Sequence, residues 1–262
     1  MILFPDLIRS RSAPLPLRTD YLWRYFDIHK FLNLLQNKTI RFTRMDQFED
    51  PQEGIPLSAF VAHAEKLNLN LIESKTIGEL IVDAKQFKKI PPLLQKKLNA
   101  IYAIQKSSFL TCWFAEQRES VAMWNLYSNA DGVAVKIPFA NLSRQLKIEK
   151  DANISAYYAG RLVYQDFSTI YKNTSDKKVG KVALRKDHSF THESEFRFVV
   201  RTKDHHLDIA GIDSLPLDLK GLGMQVICHP RMAAWKKKNI KNLLASAGLT
   251  NAMQESSIRL RG

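Results

Sequence analysis

The hydrophobic pattern changes its period near residue 107, and that change limits the folds open to the chain. Leu57, Phe60, Val61, Ala64 and Leu67 recur at three and four residues, and so do Leu93, Leu94, Leu98, Ile101 and Ile104. Such spacing lines one helix face, so two or three helices are predicted over 57–106, interrupted at Pro91-Pro92. From Ser107 onward short strand-like runs take over: Ser108 to Phe114, Gly132 to Ile137, Tyr157 to Tyr164, Phe196 to Arg201 and Met224 to Cys228. A short helix is predicted from Ser120 to Tyr127. A longer one runs from Arg231 to Ala247 and stops at Gly248, and Ser257 to Leu260 is expected to close the sheet. Upstream, the aromatic run Leu22 to Phe26 predicts a first strand, and Thr39 to Thr43 a second. Between them Asp27 is placed to cap a helix whose apolar face is Phe31, Leu34 and Leu35. Asp46 to Gly54 is polar, contains Pro51 and reads as a loop. The class is α+β. Residues 1–19, with Pro5, Pro14 and Pro16, are expected to form an extended arm, and 20–262 a single domain carrying the helical block as an insertion.

Charge bears on partners. The chain has a net charge of +13, which favours polyanions such as nucleic acid or a nucleotide. The cations are spread over Arg9 to Arg18, Lys85 to Lys97, Lys172 to Lys186 and Arg231 to Lys241. No segment interleaves arginine with aromatics, so a solubilising surface explains the charge as well as a nucleic-acid footprint does. No apolar run approaches the ~20 residues of a membrane span. The first residues do not read as a signal peptide, and a cytoplasmic setting with no membrane partner is the default expectation. Cys112 and Cys228 lack ligand spacing and read as buried, reduced thiols.

Four blocks in order are familiar: Leu22-Trp23-Arg24-Tyr25, Phe48-Glu49-Asp50-Pro51-Gln52-Glu53, Met123-Trp124 with Tyr127 and Gly132, and His192-Glu193-Ser194-Glu195-Phe196-Arg197. Together they resemble the bacterial family known as domain of unknown function 2971. Cys228-His229-Pro230 departs from the small or glycine-containing turn usual there. A more distant resemblance is to ADP-ribosyltransferases, whose late Glu-x-Glu motif Glu193-Ser194-Glu195 is similar to. That resemblance implies a mixed, bent, ADP-ribosyltransferase-like sheet. It also implies an NAD-dependent transferase or glycohydrolase acting as a toxin or in phage defence, with NAD as substrate. It sets an expectation for the fold, while function rests on the site.

The candidate residues follow. Arg24 sits in an aromatic strand, where a charge needs a partner. It either grips a cofactor oxygen, with Tyr25 and Trp124 as further cofactor contacts, or pairs with Glu193, Glu195 or Asp27. Glu193 and Glu195 share strand parity and would face one way. In NAD cleavage Glu195 would face the cation developing on the ribose, with Glu193 orienting the acceptor. Alternatively Arg197 or Arg24 neutralises Glu195. Trp124 and Tyr127 share a helix face. They stack on a cofactor or pack in the core, and the Tyr127 hydroxyl is the better site candidate. The acids Asp46, Glu49, Asp50 and Glu53 suggest the rival reading of a Mg²⁺-dependent nuclease, or they pair with Arg41 and Arg44. A third reading is a non-catalytic nucleic-acid-binding module. His188 and His192, four apart, lack a third ligand, and no resident metal is expected.

Overall fold

The computed structural model describes residues 2–9, 14–17, 20–50, 53, 92–150, 152–165, 179–203 and 214–259. Ile2–Leu3 (β1) and Asp6–Leu7 (β2) are short strands at the start of the chain. Tyr21–Phe26 (β3) follows the aromatic run expected to be extended. Asp27 ends it and caps Ile28–Asn37 (α1), accepting from the free Lys30 N–H at 2.8 Å. Phe31, Leu34 and Leu35 are the buried face of α1. Each such buried side chain contributes about 2–3 kcal/mol of transfer free energy. Lys38, in the left-handed region at φ 51°, turns the chain out of α1.

The run Thr39 to Thr43 is not one strand. Thr39–Arg41 (β4) and Thr43–Arg44 (β5) join different sheets, with Phe42 buried at the break. The helices expected over 57–90 lie outside the described residues, and Pro92–Ser107 (α2) is the described part of that block. After it come Ser108–Phe114 (β6), Val121–Tyr127 (α3), Val133–Pro138 (β7), Phe139–Gln145 (α4) and Ile148–Glu149 (β8). Ser120 caps α3, its Oγ accepting from Met123 N–H. The run Tyr157 to Tyr164 is divided into Ile154–Arg161 (β9) and Val163–Gln165 (β10). Arg185–Asp187 (β11), Glu195–Thr202 (β12), Ser214–Pro216 (β13), Gln225–Cys228 (β14) and Ala234–Ser246 (α5) follow, and Gly248 is left-handed at φ 75°. The sheet is closed by Met253–Gln254 (β15), not by Ser257 onward, because Ser256 and Ser257 instead bond to Glu119.

A nine-stranded sheet runs β15-β14-β7-β3-β6-β12-β9-β2, with β5 pairing β6 beside this path. β14–β15 and β2–β9 are parallel and the other pairs antiparallel, so the fold is α+β with a mixed sheet. Its two faces differ in chemistry. One carries Leu22, Phe26, Trp113, Val133, Val135, Phe196 and Phe198 under α1, α4 and α5, and forms the main apolar core. The other is divided between a cluster at Leu110, Val199 and Met45 and a cluster at Trp23, Tyr25, Phe114 and Trp124. Between these two clusters the sheet carries charge. Among the described residues no helix is long and apolar enough to cross a membrane.

Candidate functional site

Strand register brings the charges together. In β12, Glu195 stands opposite Phe114 and Arg197 opposite Cys112. Both therefore project from the face opposite the main core. Arg197 is fully buried. It donates to Glu195 at 2.7 and 3.1 Å, to Glu53 at 2.6 Å and to the Ala183 carbonyl at 3.1 Å, and the Phe48 ring lies 5.8 Å from its guanidinium carbon. Lys186, in β11, lies 2.5 Å from Glu193, 3.2 Å from Glu195 and 3.6 Å from Glu53, beneath the Phe190 ring. The Lys186 ammonium thus occupies the centre of three carboxylates. β11 is held there by its pairing with β10, whose Tyr164 stands opposite Lys186 and whose hydroxyl accepts from Glu195 N–H.

Glu193 is not in the strand. It ends a 3-10 turn, His188–Glu193, capped by Asp187, and Ser194 is left-handed at φ 39°. That bend, rather than strand parity, lets Glu193 and Glu195 meet at one ammonium. Tyr127, the last residue of α3, donates its hydroxyl to Glu193 Oε1 at 2.5 Å. Its residue surface is 45% exposed whereas Glu193 is 3% exposed, so the phenol hydroxyl reaches inward from solvent.

The cluster holds Glu53, Glu193 and Glu195 against Lys186 and Arg197, three acids to two bases, all buried. Burial, the hydrogen bond to Glu195 and that neighbour's charge push Glu193 up to about 7, against the pull of Lys186. Glu195 behaves oppositely. Burial would raise it, but the Arg197 guanidinium, a hydrogen bond from Glu193 and the Lys186 charge hold it well below the usual carboxylate range. A proton taken up by the pair therefore goes to Glu193, as expected when neighbouring environments drive two carboxyls apart. Burial, then the Glu193 carboxylate, push the Tyr127 phenol well above its ordinary value and keep it a donor. Cys112, expected to be buried, is half-buried beside Arg197. Burial raises its thiol well above the ordinary value, as does the Glu195 carboxylate, so it is no ready nucleophile.

Tyr127, Glu193 and Glu195 are thus together, but the other sequence candidates are not. Trp23 pairs with Phe114, which pairs with Glu195, so Arg24 has the opposite parity and lies on the other face of the sheet. Its partners there are the Thr111 hydroxyl at 2.7 Å and the faces of Phe26 and Trp113. The expectation that Arg24 shares a cleft with Glu195, or pairs with Glu193, Glu195 or Asp27, is corrected by this register. Tyr25 and Trp124 project toward the Glu195 side but are buried. They pack edge to face, with the Tyr25 hydroxyl accepting from Ser120 N–H and the Trp124 N–H donating to Glu119. A cofactor finds no free ring face on either. In the acidic loop Asp46 pairs with Arg44 at 2.6 Å and Glu53 alone enters the cluster, so the metal-binding reading loses its constellation. Among the described residues no group of His, Cys, Asp or Glu is arranged to hold a metal ion.

Lys186 and Glu53 were not singled out as cluster members by sequence. Lys186 ends a basic run that reads as surface, and its signal is the need of buried carboxylates for a cation.

On the same face as Glu195, an open cleft of about 400 Å³ is lined by Trp23, Arg118, Glu119, Lys136, Ile227 and Glu255 among others. Lys136 lies over the rings of Tyr21 at 4.1 Å and Trp23 at 5.0 Å. Glu119 is occupied by Trp124, Ser256 and Ser257. Lys136 and Arg118 have no carboxylate partner among the described residues. Trp23 and Glu195 stand in one row, two strands apart, a separation of about 10 Å.

Residues 123–198 match the model of the family described as "Protein of unknown function (DUF2971)". The matched segment contains Tyr127, Lys186, Glu193, Glu195 and Arg197, whereas Glu53 and Cys112 precede it. No curated protein and no solved structure matches the chain.

Proposed function

We propose that the chain is an enzyme that breaks the N-glycosidic bond of a nucleotide such as NAD, with Glu193 as the working carboxyl. The observation that carries this reading is the charge count around Tyr127: three buried acids face two bases, and the acid raised toward neutrality, Glu193, is the one bonded to half-exposed Tyr127. When Glu193 is ionised the cluster bears one uncompensated negative charge, which favours a ligand or transition state that develops positive charge.

The chemistry balances without a further reagent. The bond from ribose C1′ to the nicotinamide nitrogen breaks, and nicotinamide leaves with the electron pair. Water or an acceptor hydroxyl bonds to C1′ and gives its proton to Glu193. A carboxyl at about 7 suits a general base at neutral pH. Tyr127 orients that carboxyl, and Lys186, Arg197 and Glu195 hold it in place as positioning residues. Lys136 and Arg118 in the neighbouring cleft supply charge for the phosphates, in place of Arg24. On this reading the mixed sheet is a variant of the ADP-ribosyltransferase architecture working in the cytoplasm, and a toxin or phage-defence role follows if the acceptor is a cellular macromolecule.

The test is nicotinamide release. Purified protein is incubated with NAD, with and without cell lysate, beside Glu193→Gln, and nicotinamide is followed by mass spectrometry. The expected result is release by the native chain, reduced roughly 100-fold or more in a folded Glu193→Gln protein. Release that Glu193→Gln leaves unchanged, or no release by the native chain in either condition, overturns the reading.

A further inference from the structure

Trp235 is the exception among the tryptophans: Trp23, Trp113 and Trp124 are buried, and Trp235 is 64% exposed. It stands in the first turn of α5, whose Ile240 and Leu244 enter the apolar core. The opposite side of the helix presents Trp235, Lys238, Asn239 and Asn242, at spacings of three, four and seven residues that share one face. Lys238 and Lys241 are exposed, as is Arg231 just before the helix, and none has an acidic partner among the described residues. The segment Ala234–Ser246 contains no acid. Lys236 is tied to Asp131 and holds its ammonium 5.4 Å from the Trp235 ring, and Lys237 faces Glu255 at 3.6 Å. The indole is therefore framed by cations while one side of it remains open.

We propose that this outer face of α5 binds single-stranded nucleic acid, with Trp235 stacking on a base and Arg231, Lys238 and Lys241 meeting phosphates. Charge complementarity selects the occupant. Every formal charge that α5 itself carries is positive, with Asp131 and Glu255 at its flank paired to Lys236 and Lys237, and the chain carries +13 overall. Base stacking on an aromatic ring beside a basic track is how single strands are held without sequence readout. A lipid surface is disfavoured by the same row. Beyond Trp235 it continues with Lys238, Asn239 and Asn242, whereas an interfacial helix needs apolar residues there. Trp235 to Asn242 spans about 10 Å of helix, at 1.5 Å per residue. The face is separate from the carboxylate cluster, since α5 packs on the sheet face opposite Glu195.

Because Trp235 is the one exposed indole, it reports its own occupancy. The full chain is titrated with a short oligothymidylate, and indole fluorescence is read at several salt concentrations. Parallel anisotropy titrations use labelled oligothymidylate with Trp235→Ala and with Lys238→Gln/Lys241→Gln. Vesicles containing anionic lipid form a control arm. The expected result is saturable quenching and an affinity that falls as salt rises, with a logarithmic slope of about −0.7 per phosphate contacted. Trp235→Ala weakens binding roughly tenfold. The double lysine variant lowers the slope by about 1.4, for two lost contacts. All three positions are exposed, so circular dichroism is expected to stay native. Absence of binding, binding indifferent to Trp235→Ala, or quenching by vesicles and not by oligothymidylate overturns the proposal. Nicotinamide release is read in a separate assay and decides nothing here.

Discussion

Arg197→Met tests whether the buried cluster is held by charge or by packing. Methionine keeps much of the length of the side chain and removes every donor. Glu195 loses bonds of 2.7 and 3.1 Å and retains Lys186 at 3.2 Å, while Glu53 loses its 2.6 Å bond and keeps Lys186 at 3.6 Å. Removing one partner of a buried ion pair costs about 3–5 kcal/mol. Protonation of Glu195 limits that cost, because a carboxyl that takes a proton is no longer a buried charge. From an ordinary value of about 4.3, protonation at pH 7 costs roughly 3.7 kcal/mol, at 1.36 kcal/mol per unit. At pH 5 it costs about 1 kcal/mol by the same rule. The sign agrees with the depressed native value. The stabilisation that Arg197 gives Glu195 is present above the unfolded pKa and is lost as pH falls toward the folded one. The expected loss is therefore about 4 kcal/mol at pH 7 and about 1–2 kcal/mol at pH 5, a large part of the ~5–15 kcal/mol typical of a folded protein. Urea unfolding at both pH values, with native and variant chains side by side, measures it. Adding Glu195→Gln to Arg197→Met removes the stranded charge and should recover about half of the loss at pH 7. A loss equal at both pH values, or below about 1 kcal/mol at pH 7, would refute the electrostatic account and leave packing as the cause.

Two further outcomes follow from the same geometry. Glu193 is raised to about 7 in the folded chain, so the unfolded chain releases this proton first as pH rises. Stability from this group is full below about 4.5 and falls by up to about 3 kcal/mol as pH passes 7. Glu193→Gln should flatten that stretch in unfolding measured from pH 5 to 8, and parallel curves for the two chains would count against the assignment. At Gly132 an added Cβ would lie 2.3 Å from the Phe26 carbonyl and 2.0 Å from Ser128 Oγ. Gly132→Ala should cost about 1–3 kcal/mol in the urea midpoint, the usual penalty of overpacking, and a midpoint within error of the native one would show that the turn yields.

Local features were legible in the sequence because their causes are local. The aromatic run at Tyr21–Phe26, the Asp27 cap, the face of Phe31, Leu34 and Leu35, the Ser120 cap and the stop at Gly248 each need only a few neighbouring residues to argue. The strands whose bounds differ from the sequence expectation depend on distant partners. Thr39–Arg41 turns toward Ser214–Pro216 and Thr43–Arg44 toward β6, so a single β-rich run is divided between two sheets. The site follows the same rule. The Glu-x-Glu pair and Tyr127 could be named as candidates, but the bond between Arg197 and Glu53 spans 144 residues, and no periodicity reports it. Strand identity alone does not place Arg24 on a face. Its face depends on the register of Trp23 with Phe114 and of Phe114 with Glu195, and a one-residue slip would reverse it.

The arrangement of charge also argues for use rather than for stability alone. Five ionisable groups buried together stabilise a fold less than apolar side chains of the same volume, and the opposite face of this sheet shows that the chain can supply such a layer. The charges are not placed at the centre of that layer. They lie where the second face is divided, and Tyr127 connects them to solvent through the one carboxyl raised toward neutrality. α5 stands on the far side of the sheet with its outward Trp235 and lysines, so a strand bound there cannot deliver a base to Glu193 across the apolar core. On the two proposals the surfaces act in parallel: one would retain the chain on a polyanion, and the other would act on a small nucleotide that arrives from solvent. If a bound oligothymidylate changes the rate of nicotinamide release, two routes join the surfaces: the Lys237–Glu255 pair, which connects α5 to the cleft wall, and the strands between the two faces. β14 is the strand to test, since it carries Val226 and Cys228 toward the α5 side and Ile227 toward the cleft.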